Sequence, residues 1–360
     1  MRVVVAPDSF KGSIRADAAA AALAEGWRSV RPADDVRARP MADGGEGTLA
    51  AIAAAVPAAV RVPVTVEGPT GAPVEAVWLR LADGTGVVEL ASTSGIELLG
   101  GRLRPGRAST RGFGEAIAAA LGDGVARLVL GIGSSASTDG GVGMLVALGA
   151  RITDAAGVPV RPGADGLADV ASVDVRSLRP LPPGGVRVLT DVTSPLLGPR
   201  GAAAVFGPQK GLDPAGVARA DAGLARLAAF APHGSPAAPG AGAAGGTGWA
   251  LGLWGARLQP GAPAVADIIG LPAAAASADL VITGEGAFDA SSGAGKVPGF
   301  VAGLAPGRTA LVAGRIAPGA GTAAFAATME LSALAGSAAA ALSDPARWLR
   351  AAGAALARRM

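Results

Sequence analysis

VRVPVTVEGPTGAPVEAVWLRLADGTGVVEL, residues 60–90, decides the fold, because three strand-like runs follow one another with only turn residues between them. VRVPVTVE, VEAVWLRL and GVVEL are rich in β-branched residues, and GPTGAP and ADGTG supply the glycine, proline and aspartate of tight connections. No helix intervenes, so the runs predict an antiparallel or mixed sheet. Outward from this stretch the texture changes. RVVVA at 2–6 reads as a buried strand, and the alanine-rich 16–30 as the helix behind it, with Ser13 or Asp17 as cap. A strand at 36–40 leads to a helix at 46–56. Downstream, helices at 110–121 and 142–148 alternate with strands at 127–132 and 186–190. Buried strands return at 279–283 and 309–313, and a last helix at 344–359 has Pro345 in its first turn. Such alternation predicts parallel α/β units, with a domain boundary near residue 65 where the mixed-sheet texture begins.

Composition narrows the function. The 360 residues are 50% apolar with mean hydropathy +0.44, ample for two cores, although much of that apolarity is alanine. The sequence pI near 10.1 suggests nucleic acid until it is set beside a net charge of only +3. The basic residues are dispersed, aromatics make up 3% and tyrosine is absent, so no nucleic-acid partner is expected. Cysteine is absent, and the single histidine, His233, lies in PHGSP, which argues against thiol, zinc and serine-hydrolase chemistry. MRVVVAPDSF is too short an apolar run for a signal core, and the most apolar long window, 322–342, holds Glu330 and Gly336. A cytoplasmic protein without a membrane partner is the expectation.

The cations are unevenly chosen. Against 28 arginines there are three lysines, each in a glycine- or proline-marked motif: Lys11 in DSFKGS, Lys210 in FGPQKG and Lys296 in GAGKVP. A compact ammonium on a thin stem suits phosphate oxygens in a tight pocket. Four strand-like runs end in loops that combine a carboxylate with small or basic residues: APDSFKGS, ADGGEGT, DVTSPLLG and TGEGAFD. Ligands of open α/β sheets bind at the carboxyl ends of strands, so these loops are candidates for one crevice. Asp8, Asp43, Asp191, Glu285 and Asp289 are candidates for magnesium ligands or a general base, with helix caps and turn formers as the alternative. GIGSSASTDGG places glycines and hydroxyls between a strand and a helix, where backbone amides can cradle phosphate or glycine can simply make the turn. The glycine-rich 232–248 reads either as a linker or as backbone that approaches a ligand closely.

These motifs together resemble the bacterial type I glycerate kinases, in order along nearly the whole chain. They are APDSFKGS at 6–13, MADGGEGT at 41–48, GIGSSASTDGGVGM at 131–144, DVTSPLLGPRGAAAVFGPQKG at 191–211, PGAGAAGGTG at 239–248 and DLVITGEGAFDASSGAGKVP at 279–298. The resemblance implies ATP-dependent, magnesium-assisted phosphorylation of D-glycerate, usually to 2-phosphoglycerate. It also implies two α/β domains facing each other across a cleft. One would be a Rossmann-like parallel sheet built from both chain ends, residues 1–65 plus 279–360, and the other a mixed-sheet domain inserted between them, residues 66–278.

Carried onto this chain, the resemblance makes Asp191, Lys11 and Lys296 the catalytic candidates. Asp191 would be the base, Lys11 would hold the substrate carboxylate or the transferring phosphoryl, and Lys296 would neutralise ATP phosphates. Asp8, Ser9, Asp43, Gly44, Gly45 and Glu46 are expected at the substrate. Gly133, Ser134, Ser135, Asp139, Gly140, Gly141 and Gly284 are expected at the nucleotide, with Asp43 and Glu285 toward magnesium. Lys210 is left with a domain-closing contact. The chain departs from the family at Ser134, Thr138, Ser194, Ala287 and Ser291, where the family has glycine, asparagine, asparagine, arginine and glutamine. Losing a guanidinium at 287 removes a charge-assisted contact worth about 1.5–3 kcal/mol. A kinase for another short hydroxy acid, a catalytically impaired metabolite-binding regulator, and homo-oligomerisation all stay open.

Overall fold

The computed structural model describes residues 1–231, 233–290 and 296–360. In chain order its strands are β1 (Arg2–Val5), β2 (Asp35–Ala38), β3 (Val60–Glu67), β4 (Pro73–Arg80), β5 (Thr85–Glu89), β6 (Arg127–Gly131) and β7 (Arg151–Thr153). They continue with β8 (Ser172–Asp174), β9 (Val186–Leu189), β10 (Arg257–Gln259), β11 (Leu280–Phe288), β12 (Thr309–Ile316) and β13 (Ala327–Glu330). Helices connect most of the parallel neighbours, so the fold is α/β.

The chain divides into two compact units. The first comprises Met1–Asp43, Ala50–Pro57 and Gly261–Met360, and the second comprises Gly44–Leu49 and Ala58–Pro260. This division differs from boundaries at 65 and 278 for packing reasons. All eight residues of β3 pair with β4, so residue 65 lies inside a strand of the second unit. Gly261 belongs with the first unit, where a Cβ on it would stand 1.7 Å from the carbonyl oxygen of Asp43.

The first unit has a five-stranded, wholly parallel sheet in the order β13-β12-β11-β1-β2. Val3 and Val5 of β1, Ile282 of β11 and Val312 of β12 are fully buried, as the unbroken apolar runs anticipate. Leu23, Trp27, Leu349 and Leu356 close the core from the helices Ala16–Arg28 and Pro345–Arg359. These two helices approach so closely that a Cβ on Gly26 would lie 1.9 Å from the carbonyl oxygen of Arg350.

The second unit has a six-stranded mixed sheet, β10-β9-β6-β5-β4-β3, and a separate hairpin of β7 and β8. β3, β4 and β5 are antiparallel neighbours, while β5, β6, β9 and β10 run parallel. The mixed sheet read from residues 60–90 is therefore the one observed. Trp78, Phe113, Leu128 and Leu130 are buried at its centre.

Candidate functional site

In the first unit the chain goes from β1 to β2 on one side and returns with β11 on the other. The strand order therefore reverses between β1 and β11, and ligands of open α/β sheets bind outside the carboxyl ends of strands at such a point. The predicted loop APDSFKGS starts there, and TGEGAF runs beside it as part of β11. The backbone N–H of Ala6 donates to Ile282 (2.7 Å) and that of Asp8 to Gly284 (2.8 Å), which zips APDSFKGS along β11. The N–H of Ser9 donates to Asp8 Oδ1 (2.6 Å). Phe10 is buried, and its N–H donates to the Ile14 carbonyl (2.9 Å). The tight turn between them, with Gly12 at φ +76°, presents Lys11 exposed at its tip. Met41 donates its N–H to the Pro7 carbonyl (2.8 Å), so the chain approaching Asp43 lies beside the same loop.

β11 runs further than the apolar run 279–283 predicts. It continues through GEGAF to Phe288, because β12 pairs with it over that length and the glycines let the backbones close up. A Cβ on Gly284 would meet the Val312 carbonyl oxygen at 2.0 Å, so this glycine lies in the sheet interior rather than in a loop. Glu285 follows it in the strand with 9% of its surface exposed. Phe288 is buried edge-on against Phe325, with ring centroids 5.5 Å apart, and fixes the strand end from which exposed Asp289 emerges. Exposed Ala287 stands in register with Arg315 of β12, so a guanidinium is present on the adjacent strand. Ser291 lies outside the described residues. Lys296 is exposed and occupies the N-cap position of the helix Val297–Leu304.

In the second unit, Gly44, Gly45 and Gly133 come together at the ends of β6 and β9. The N–H of Gly133 donates to the Gly44 carbonyl (3.0 Å). A Cβ on Gly44 would sit 2.6 Å from Leu189, and one on Gly133 would sit 2.5 Å from the Cα of Gly45. These glycines allow backbone to pass over backbone. Glu46 is exposed beside them. Asp191 is exposed just beyond β9, where the N–H of Thr190 donates to the Gln259 carbonyl (3.1 Å) and that of Val192 to Thr190 Oγ1 (3.2 Å).

The loop after β6 is held from within. Asp139 is fully buried. It accepts from the N–H (2.9 Å) and hydroxyl (2.8 Å) of Thr110, from Ser137 Oγ (3.0 Å), and from the N–H groups of Gly141 (3.2 Å) and Gly143 (3.2 Å). The N–H of Ala136 goes to the Ser94 carbonyl and that of Gly140 to Gly245, both at 3.0 Å. Asp139, Gly140 and Gly141 thus organise the loop, and Ser134, at φ +57°, and Gly133 are its more exposed part. Lys210 is 3% exposed, and its ammonium donates to Ser135 Oγ (2.7 Å) and to the Ser137 carbonyl (2.5 Å). The glycine-rich segment closes against this loop: a Cβ on Gly245 would lie 2.1 Å from the Ser137 carbonyl oxygen. Its close backbone approach is to protein, and residues 240–243 and 245–248 are buried, unlike a linker.

Glu89 is a residue the motifs did not bring forward. At the end of β5 and 5% exposed, it accepts the N–H groups of Gly47 (Oε1, 3.2 Å) and Leu49 (Oε2, 2.9 Å), the loop and first turn of the helix Thr48–Ala55. Burial pushes its carboxyl up to about 7, and Glu46 adds to the shift while the Leu49 and Gly47 N–H groups oppose it. A carboxyl whose pKa is higher folded than unfolded stabilises the fold below the unfolded value and loses that contribution as pH rises through the folded one. Between pH 4.5 and about 7 this amounts to about 3 kcal/mol, at 1.36 kcal/mol per pH unit. Glu89→Gln is expected to flatten the pH dependence of stability over that window, measured by denaturant unfolding at several pH values. An unchanged slope would show that Glu89 ionises normally.

Among the described residues no helix is long and apolar enough to cross a membrane, and no cluster of three acidic or histidine side chains is set to hold a metal. Comparison with known proteins identifies the family. The profile of the glycerate kinase family matches residues 3–360. The chain is 42% identical over 306 residues to the glycerate kinase of Bacillus subtilis strain 168, covering 83% of this chain and 80% of that one. It is 41% identical over 313 residues to the glycerate 2-kinase of Escherichia coli K12, covering 85% and 82%. The crystal structure of a Salmonella typhimurium LT2 protein assigned as glycerate kinase 2 superposes with TM-score 0.83 at 36% identity, covering 100% of this chain and 98% of that one. The chain belongs to the glycerate kinase family.

Proposed function

We propose that the chain transfers the γ-phosphoryl group of ATP to a hydroxyl of D-glycerate, giving 2-phosphoglycerate and ADP. The observation that carries this reading is the gathering of Asp8, Ser9, Lys11 and Glu285 where β1 and β11 diverge in strand order. Lys11, exposed on its tight turn, binds the glycerate carboxylate or the transferring phosphoryl group. Lys296 neutralises phosphate charge. Asp191 accepts the hydroxyl proton as that oxygen forms its bond to phosphorus and the bond to the ADP oxygen breaks. Gly133 and Ser134 border the phosphates, while Asp139, Gly140 and Gly141 keep their loop in shape.

Magnesium fits the donor set. Glu285, nine-tenths buried at the strand-order reversal, and Asp43 offer hard carboxylate oxygens, and this ion commonly takes one or two such ligands and completes its shell with phosphates and water. When bound, it spreads the negative charge of the phosphate oxygens. The reading carries with it the cytoplasmic location expected from sequence.

A coupled assay of ADP release with ATP and D-glycerate, run beside other short hydroxy acids, tests the proposal. Turnover is expected with D-glycerate, and the product's phosphorus resonance should be a doublet, coupled to the single C2 proton. A triplet would assign the C3 hydroxyl instead, and ADP release with none of the acids would overturn the reading.

A further inference from the structure

We propose that Lys210 is a positioning residue for phosphoryl transfer: from beneath the 133–137 turn its ammonium holds Ser135 and the Ser137 carbonyl, and so fixes the backbone that carries Ser134. This rests on the reading of Gly133 and Ser134 as part of the nucleotide phosphate site. The lysine ends the short helical turn Pro208–Lys210, and Gly211 at φ +95° turns the chain away behind it. Its side chain is therefore directed inward, with Ser135 6% exposed and Ser137 fully buried around its tip. Burial pushes the ammonium down to about 7, and the Asp139 carboxylate opposes that shift.

Ser134 has a left-handed backbone without being glycine, a conformation that persists where surrounding contacts over-determine it. On one side of Ser134 the Gly133 N–H is tied to the Gly44 carbonyl, on the other the Ala136 N–H is tied to the Ser94 carbonyl and the Ser137 hydroxyl to Asp139, and Lys210 holds Ser135 and the Ser137 carbonyl. The geometry also explains why a chain with 28 arginines keeps a lysine here. The ammonium has three donors on a thin stem, and it meets one hydroxyl and one carbonyl. A guanidinium would bring five donors in a rigid fork into the same enclosed space.

Lys210→Met keeps the length and apolar stem but removes the donors. The variant is expected to melt within about 5 °C of the parent, since the desolvation cost of the ammonium disappears along with its hydrogen bonds. Its KM for ATP should rise about 10- to 100-fold, the range for losing a charge-assisted bond pair, while its KM for glycerate stays within about twofold. Lys210→Ala should be equally impaired, and propylammonium should restore at least about tenfold of its kcat/KM for ATP where tetramethylammonium at the same ionic strength does not. A purely space-filling role would not produce that selectivity.

An unchanged KM for ATP in Lys210→Met overturns the proposal, and so does a parallel loss for both substrates that no amine restores. Ser134→Asp separates this from failure of the underlying reading, because a carboxylate there repels bound phosphate. If it weakens ATP and Lys210→Met does not, the lysine's role fails alone. If Ser134→Asp leaves ATP unaffected, the turn is not at the phosphates, and the proposal falls with that reading.

Discussion

Asp191→Asn is expected to lower kcat by about 100- to 10,000-fold, the usual contribution of a positioned general base. The amide is isosteric and can still hydrogen-bond a hydroxyl, but it cannot take up its proton, so glycerate should still bind with KM within a few-fold of the parent. The position suits the task. Asp191 is exposed on a short turn anchored by Thr190 to Gln259 and by Val192 to the Thr190 hydroxyl, which restricts the backbone without covering the carboxylate. Steady-state kinetics with ATP and D-glycerate should show the loss in kcat, with little change in KM for glycerate. A kcat above about a tenth of the parent would remove Asp191 from the role.

Gly245→Ala is expected to combine a loss of activity with a loss of stability. Gly245 adopts φ +67°, and an added Cβ would meet the Ser137 carbonyl oxygen at 2.1 Å and the Thr138 Cα at 2.7 Å. The backbone term for a left-handed alanine is about 1–2 kcal/mol. Overpacking adds about 1–3 kcal/mol, and because both contacts are backbone, relief requires the 133–141 loop to move. We expect a fall of several degrees in the thermal midpoint and at least about a tenfold fall in kcat/KM for ATP. Gly157→Ala is the control: at φ +78° a Cβ there meets nothing within 4 Å, so only the backbone term applies and activity should be retained. Equal effects in the two variants would show that the glycine-rich segment does not support the loop.

Much of the fold was legible because its signals are local. VVV at 3–5, LVI at 280–282 and the run 60–90 have side chains that suit strands wherever they pack, and the alternation with alanine-rich helices follows from them. The misses are tertiary. β10 is three residues of mixed character, RLQ, and becomes a strand only because β9 offers it an edge. GEGAF looks like a loop by its glycines, yet in β11 those glycines admit the neighbouring backbone. Among the candidate residues, exposed Lys11, Asp191 and Lys296 stood out by motif. Glu89 did not, since one carboxylate after a valine pair carries no mark of what it will accept. For Lys210 the motif was visible but the burial was not, because its partners lie 73 and 75 residues away in sequence.

The pairing of β1 with β11 has a consequence for how the protein is made. Val3 lies opposite Leu280, and Arg2 and Asp279, 277 residues apart in the chain, are tied by a hydrogen bond from backbone N–H to carboxylate. β1 therefore cannot gain its β11 neighbour until the 277 residues that separate Val3 from Leu280 have been synthesised. Residues 58–260, by contrast, contain nearly all of the second unit in one continuous stretch. Once that stretch is compact, it shortens the effective loop that β1 and β11 must close, and closure entropy falls with it. Translation order thus favours the inserted unit as the earlier folding event, and β1, with one edge unpaired meanwhile, is the segment most exposed to mispairing.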